Sequence, residues 1–265
     1  MKLWIRKRLP LLIGLTVTLL PLAAQAQRKS PLADAPAIRK RLELRDTRLE
    51  FGAGLGTTLN QDFYHTAFAN IRLGFHFTDW LSIAGFADFA VANISTGLRD
   101  RVLETLMDPP TAPRQPTNAQ ASAAMSQINQ MFGGQLEFTP FTGKYSLFGK
   151  LFAHYDFYLS AGGGAINVAP TNANVAPCSP TTMFGDCPVS GVRPGFVVGA
   201  GMHSFFNQWL AVNVELRDII ASLNPAGRDV NGDGVANSAD QTLSNTFSVI
   251  ASLVVYLPTV ADISP

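Results

Sequence analysis

Between Arg48 and Leu257 the chain changes character at every second residue, and that period constrains its fold more than any other feature. Ala67, Ala69, Ile71, Leu73, Phe75 and Phe77 fall on one face of an extended segment, with Phe68, Asn70, Arg72, Gly74 and His76 on the other. After Thr78-Asp79, the residues Leu81, Ile83, Gly85, Ala87, Phe89 and Val91 form the next apolar face. A helix repeats about every 3.6 residues and would scatter these side chains around its axis. The same two-residue alternation returns until Leu257 and predicts eight strands at 48–59, 63–77, 80–93, 132–140, 152–168, 193–206, 209–221 and 243–257.

Each strand is long enough to cross a bilayer when tilted, and an even number brings both ends of the wall to the same side. The connections alternate in length. Thr78-Asp79 and Asn207-Gln208 are tight turns, each followed by a tryptophan, Trp80 or Trp209, where an interfacial aromatic girdle belongs. The connection at Thr142 to Lys150 is expected to be moderate; 94–131, 169–192 and 222–242 are long, with 109–124 a mobile Pro/Thr/Ala/Asn/Gln-rich loop. With 18 Phe, 22 Gly and only 15% charged residues, the composition suits a wall with apolar residues facing lipid. The expected class is all-β, an eight-stranded antiparallel transmembrane β-barrel with long outer loops. A lipocalin-like soluble barrel, apolar side inward, is the structural alternative.

The N-terminus sets the compartment. Lys2, Arg6, Lys7 and Arg8 precede an apolar run from Leu9 to Leu22, and Ala24-Gln25-Ala26 offers a signal-peptidase site. An uncleaved anchor is the competing reading, but the run is short for a span. The domain reading is therefore 1–26 signal peptide, 27–47 periplasmic N-terminal segment, 48–258 outer-membrane barrel and 259–265 periplasmic tail. Cleavage removes four basic residues from 20 Lys+Arg and leaves 16 against 19 Asp+Glu, a formal charge of −3 that excludes a nucleic-acid partner.

With the apolar face assigned to lipid, the other face lines the barrel. It carries Glu50, Arg72, Asp88, Glu137, His154, Asp156, Glu215 and Arg217, with His76 and His203 beside them. Eight strands leave an interior just wide enough for side chains to fill, so these charges must neutralise one another. A structural polar network is the expectation; a gated pore or proton relay is the sharper alternative. No nucleophile, base and orienter converge, since His203 and Ser204 are neighbours on opposite faces, and the chain is read as a non-enzyme. Gly52-Ala53-Gly54-Leu55-Gly56 lacks the third glycine position of a dinucleotide loop.

Two loop features remain. In 229–240, the residues Asp229, Asn231, Asp233, Asn237 and Asp240 place oxygens at positions 1, 3, 5, 9 and 12, Val235 offers its carbonyl at 7 and Gly234 stands at 6. That spacing suits calcium, and the stretch resembles the calcium loop of dockerin repeats; a plain acidic loop is the alternative. Cys178 and Cys187 lie in one predicted outer loop on an oxidising export route, which points to a disulfide rather than a metal or redox pair.

Arg48-Leu49-Glu50, Pro140-Phe141-Thr142-Gly143-Lys144 and His154-Tyr155-Asp156-Phe157-Tyr158 with Gly162-Gly163-Gly164 resemble the outer-membrane β-barrel domain proteins abundant in myxobacteria. The resemblance implies an OmpA-like small barrel in the cell outer membrane. The expected role is structural or surface-interactive: outer-membrane lipid surrounds the wall, an envelope or cell-surface protein is the partner, and the outer loops are organised by calcium. Narrow porin-like passage of small solutes is the alternative.

Overall fold

The computed structural model describes residues 42–43, 45–106, 118–147, 151–171, 190–226, 230–232, 238–260 and 262–263. The signal-peptide segment, Cys178, Cys187, Asp229, Asp233, Val235 and Asn237 lie outside them. Among the described residues there are ten strands: β1 (Leu42–Glu43), β2 (Leu49–Thr58), β3 (Tyr64–His76), β4 (Leu81–Ser95), β5 (Ser126–Leu147), β6 (Leu151–Pro170), β7 (Gly191–Phe205), β8 (Leu210–Leu223), β9 (Thr242–Leu257) and β10 (Asp262–Ile263). Strands β2 to β9 form a closed antiparallel barrel in sequence order, and β9 returns to β2 with Leu49 opposite Leu257 and Thr58 opposite Ser248. The short β1 and β10 pair with each other. Closure satisfies every strand edge, so an apolar outer wall needs no edge protection.

Alternation decides the two faces. Outside stand Leu55, Ile71, Phe132, Leu136 and Phe196, the last 74% exposed, while inside Arg72 is 1% exposed. This inverts the ordinary globular arrangement. Two tight turns are built by side-chain caps. The Thr78 hydroxyl accepts from the N–H groups of Trp80 and Leu81, and the Asn207 carbonyl oxygen accepts from those of Trp209 (2.9 Å) and Leu210 (2.8 Å). Both tryptophans are exposed, and Trp80 meets Phe138 edge-on.

Two connections differ from the sequence reading. The expected loop at Thr142 to Lys150 is mostly strand: β5 runs on to Leu147 and pairs with β6 as far as Leu147 opposite Leu151. A register shift between Phe138 and Phe141 starts this ribbon, and β4 begins opposite Phe138, so the ribbon passes the end of its neighbour. At the other end, the 94–131 connection contains α1 (Gly97–Thr105), N-capped by Thr96, and α2 (Asn118–Ala124); the second helix falls within 109–124, where composition alone suggested a mobile loop.

The interior is filled in layers. Towards the loop end, Phe68, Phe86, Ile128, Met131, Ile166, Val168 and Val197 cluster with Ile219, Ala221, Leu223 and Ile250. At the turn end, Phe205, Ala211, Val254 and Tyr256 form a smaller cluster. Large inward side chains fit because glycine stands directly across the strand pair: Tyr158 opposite Gly201 and Phe68 opposite Gly56. A Cβ at Gly201 would run into the Tyr158 ring.

Replacing Gly201 by valine is therefore expected to destabilise the refolded barrel by about 1–3 kcal/mol through overpacking. Gly163→Ala, whose added Cβ meets nothing within 4 Å, is the control expected to unfold within experimental error of the parent in denaturant titrations.

Candidate functional site

The chemistry-bearing residues converge inside the barrel because seven strands, β2 to β8, deliver them to its interior. Arg72 on β3 is the centre. Its Nε meets Glu50 Oε1 at 2.6 Å, its Nη1 meets Glu215 Oε2 at 3.0 Å, and its Nη2 donates to Glu137 Oε1. The guanidinium also lies over the Tyr158 ring, 5.4 Å from its centroid. Arg217 on β8 extends the network. It reaches Glu215 Oε1 (2.9 Å) and Asp88 Oδ2 (2.8 Å) and stacks on Phe86 with a 3.6 Å separation. Asn70 donates to the other Asp88 oxygen, Ser82 to Glu137 Oε2, and the Gln135 amide to both Glu137 and Glu215.

Towards the turn end the same carboxylates meet two imidazoles. His76 Nε2 is 2.7 Å from Glu50 Oε2; His203 Nδ1 is 2.8 Å from Asp156 Oδ1, and its Nε2 is 3.7 Å from Glu50 Oε1. Asp156 also pairs with Arg45 at 3.1 Å. Arg45 precedes the barrel strands. Burial opposes its charge, but Asp156 opposite holds the guanidinium above its ordinary range.

Of the residues expected on the inner face, Glu50, Arg72, His76, Asp88, Glu137, Asp156, His203, Glu215 and Arg217 meet in this one network. His154 stands apart. It is half-buried where β6 leaves the wall, opposite Lys144 on β5 and Phe205 on β7. Asp156, two residues further along β6, pairs with His203 and Arg45.

Sequence reasoning missed Arg45, which no strand parity identifies. It also passed over Asn70, Ser82, Gln135 and Tyr158, whose inward positions were readable from the alternation of their own strands. The polar atoms need all of them, since a half-satisfied buried network is costly. Among the described residues, no group of three or more His, Cys, Asp or Glu is arranged to hold a metal.

From the calcium-spaced loop, Asn231 and Asp240 are described. The buried Asp240 carboxylate accepts from the N–H groups of Val230 (2.8 Å) and Asn231 (3.0 Å), closing the loop's two ends on each other. A short 3-10 turn at Ser238–Asp240 carries it there.

What these features define is a small closed β-barrel with an apolar outer wall, a neutralising ionic interior and a helix-bearing loop end. No family model and no curated protein matches the chain. Among solved structures it is similar to the N-terminal β-barrel domain of Pseudomonas aeruginosa OprF (9% identity, 80% of this chain and 98% of that one, TM-score 0.43). It is also similar to the outer membrane protein OprG from Pseudomonas aeruginosa (8%, 80% and 97%, TM-score 0.39) and to Ail, the attachment invasion locus protein of Yersinia pestis (7%, 80% and 99%, TM-score 0.37).

Arg72→Met would leave Glu50, Glu137 and Glu215 buried without their shared cation, an expected loss of about 3–5 kcal/mol in equilibrium unfolding. Arg72→Lys should recover only part of it, because a point-charge ammonium cannot span three carboxylates as the planar fork does.

Proposed function

We propose that the chain is a bacterial outer-membrane protein whose barrel is a sealed anchor, holding outer loops that contact an envelope or cell-surface protein. Export by the N-terminal signal and lipid around the apolar wall belong to the same reading. The observation that carries it is the filled interior. Arg72, Arg217 and their carboxylates cross-link five strands at mid-height, and the apolar cluster around Phe68 and Ile166 closes the bore beyond them. A cavity at the loop end, lined by Gln61, Ser126, Gln127, Arg193 and Asn224 among others, has a volume of about 20 Å³. That is room for a single water molecule. A passage for solutes would require both layers to rearrange.

The loops are where a partner would be met. The Cys178–Cys187 pairing is part of the proposal, as a short covalent loop presented on the outer side. Calcium at 229–240 is the second part: Asp229, Asn231, Asp233, Asn237 and Asp240 with the Val235 carbonyl supply hard oxygen donors. The Asp240 bonds to Val230 and Asn231 support a loop drawn into a ring.

Refolded protein in a planar lipid bilayer is expected to give no unitary conductance steps; reproducible steps would replace the sealed anchor with the porin-like reading. Calorimetric titration with calcium chloride is expected to show saturable heat that disappears in Asp229→Ala/Asp233→Ala. An absence of heat at millimolar calcium would reduce the loop to an acidic turn.

A further inference from the structure

The residues just before β2 are neither a free tail nor part of the wall. Arg45 and Arg48 are buried, 2% and 1% exposed, although no barrel strand carries them. From Arg45, Nε pairs with Asp156 on β6, Nη2 donates to Thr139 Oγ1 on β5 (2.6 Å) and to the Asp79 carbonyl, and the backbone N–H donates to Asp79 Oδ1 (2.9 Å). Asp79 belongs to the β3–β4 turn. Arg48 points to the other side of the ring. Its Nη1 donates to the Gln208 carbonyl in the β7–β8 turn (2.7 Å), its Nε to the Pro258 carbonyl after β9 (2.9 Å), and its guanidinium lies over the Tyr256 ring.

Between the two arginines the chain makes a tight turn. Arg48 N–H donates to the Arg45 carbonyl at 3.2 Å, and Thr47 adopts a left-handed backbone with φ 51°. A β-branched residue takes that conformation only under constraint, so the contacts at either end hold the turn in place. Below it lie His203, Phe205, Ala211, Val254 and Tyr256.

We infer that residues 45–48 form a strap across the turn-end mouth, locked by Arg45 on Asp156 and by Arg48 on the opposite rim, and able to lift at the cost of one ladder bond, His76 N–H to the Arg48 carbonyl (2.9 Å), with the β2–β3 and β2–β9 registers from Leu49 onward intact. The charge explains why it closes. Arg72 and Arg217 pair with Glu50, Asp88, Glu137 and Glu215 but not with Asp156, and Arg45 brings a third guanidinium from outside the wall to that fifth carboxylate. Lifted, the strap gives water access to Asp156 and His203 while the loop-end apolar layer stays shut. The inference rests on the sealed-barrel reading for its setting, and deepens it by assigning one of the two seals to a movable segment.

The test compares the two ends. In a Cys178→Ser/Cys187→Ser background, Ala211→Cys places a thiol under the strap and Ala221→Cys places one in the loop-end layer; both alanines are buried. Labelling of the refolded barrel in lipid nanodiscs by a charged methanethiosulfonate is followed with and without Arg45→Ala/Arg48→Ala. Strap release should speed labelling under the strap by about an order of magnitude, as local opening becomes easier, and leave the loop-end site unchanged. An unchanged rate at the turn end, or equal acceleration at both ends, would overturn the strap. If the double variant does not fold, hydrogen exchange of the unaltered protein decides. The Arg45 and Arg48 amides should exchange before the β2 ladder amides, and equal protection would refute the inference. Bilayer conductance reads the apolar layer and the pore, so loss of the sealed-barrel reading and loss of the strap produce different results.

Discussion

The gathering of three carboxylates on Arg72 is the interaction from which the rest follows. Once one face of each strand is apolar and the wall is closed, every inward charge is cut off from bulk water. It must then be neutralised by another inward charge. One guanidinium with its planar fork can bind Glu50, Glu137 and Glu215 together, and so ties β2, β5 and β8 to β3. That concentrates negative charge, which is why Arg217 shares Glu215 and captures Asp88, and why His76, His203 and Arg45 gather on the remaining carboxylate oxygens of Glu50 and Asp156. The network specifies strand register as well as stability. A two-residue slip of β3 would carry Arg72 out of reach of all three partners, whereas the apolar wall alone would accept it.

Volume is the second constraint, and glycine meets it. Arginine, tyrosine and phenylalanine at inward positions need more room than an eight-stranded bore gives to uniform side chains. The cross-strand neighbour is reduced instead: Gly52 opposite Arg72, Gly74 opposite Glu50, Gly133 opposite Phe86 and Gly201 opposite Tyr158. The abundance of glycine in the sequence is thus the complement of the large interior side chains. It differs from the loop glycine Gly232, whose φ of +78° is a backbone requirement.

Strand number, faces and the membership of most of the ionic network were legible, because burial on one face imposes a period that survives in any single sequence. The β3 reading of 63–77 against Tyr64–His76 shows how closely the alternation tracks the ladder. What escaped lies where that period is interrupted or absent. The register shift at Phe138/Phe141 hid the continuation of β5 to Leu147 and left His154 looking like an interior residue. The loop-end apolar layer has the same parity as the charges, with Ile219, Ala221 and Leu223 following Arg217 at steps of two. Its message was masked because the outward positions there turn polar, with Asp218 and Ser222 on β8 and Asn167 on β6, which reverses the apolar-out pattern of the rest of the wall. Arg45 sits on no strand, and only its arrival at Asp156 reveals what it does.

The filled interior moves the question of function to the loop end, and there the described loop segments are tied to one another. Tyr64 at the rim accepts from Arg99 of α1 at 2.7 Å, and its hydroxyl lies 3.2 Å from that of Thr171, where the β6–β7 connection begins. Thr171 N–H and Oγ1 both donate to the Met125 carbonyl, at the end of the β4–β5 insertion, and Ser126 N–H donates to Pro225 in the β8–β9 connection. Three connections that are far apart in sequence therefore share one rim. A partner approaching it would meet a composite surface whose bases are already ordered. Less conformational entropy then remains to be lost on binding than separate flexible loops would require. The two ends of the same strands thus divide the work, with charge neutralised in the bore below and the loop bases joined in a shared rim above.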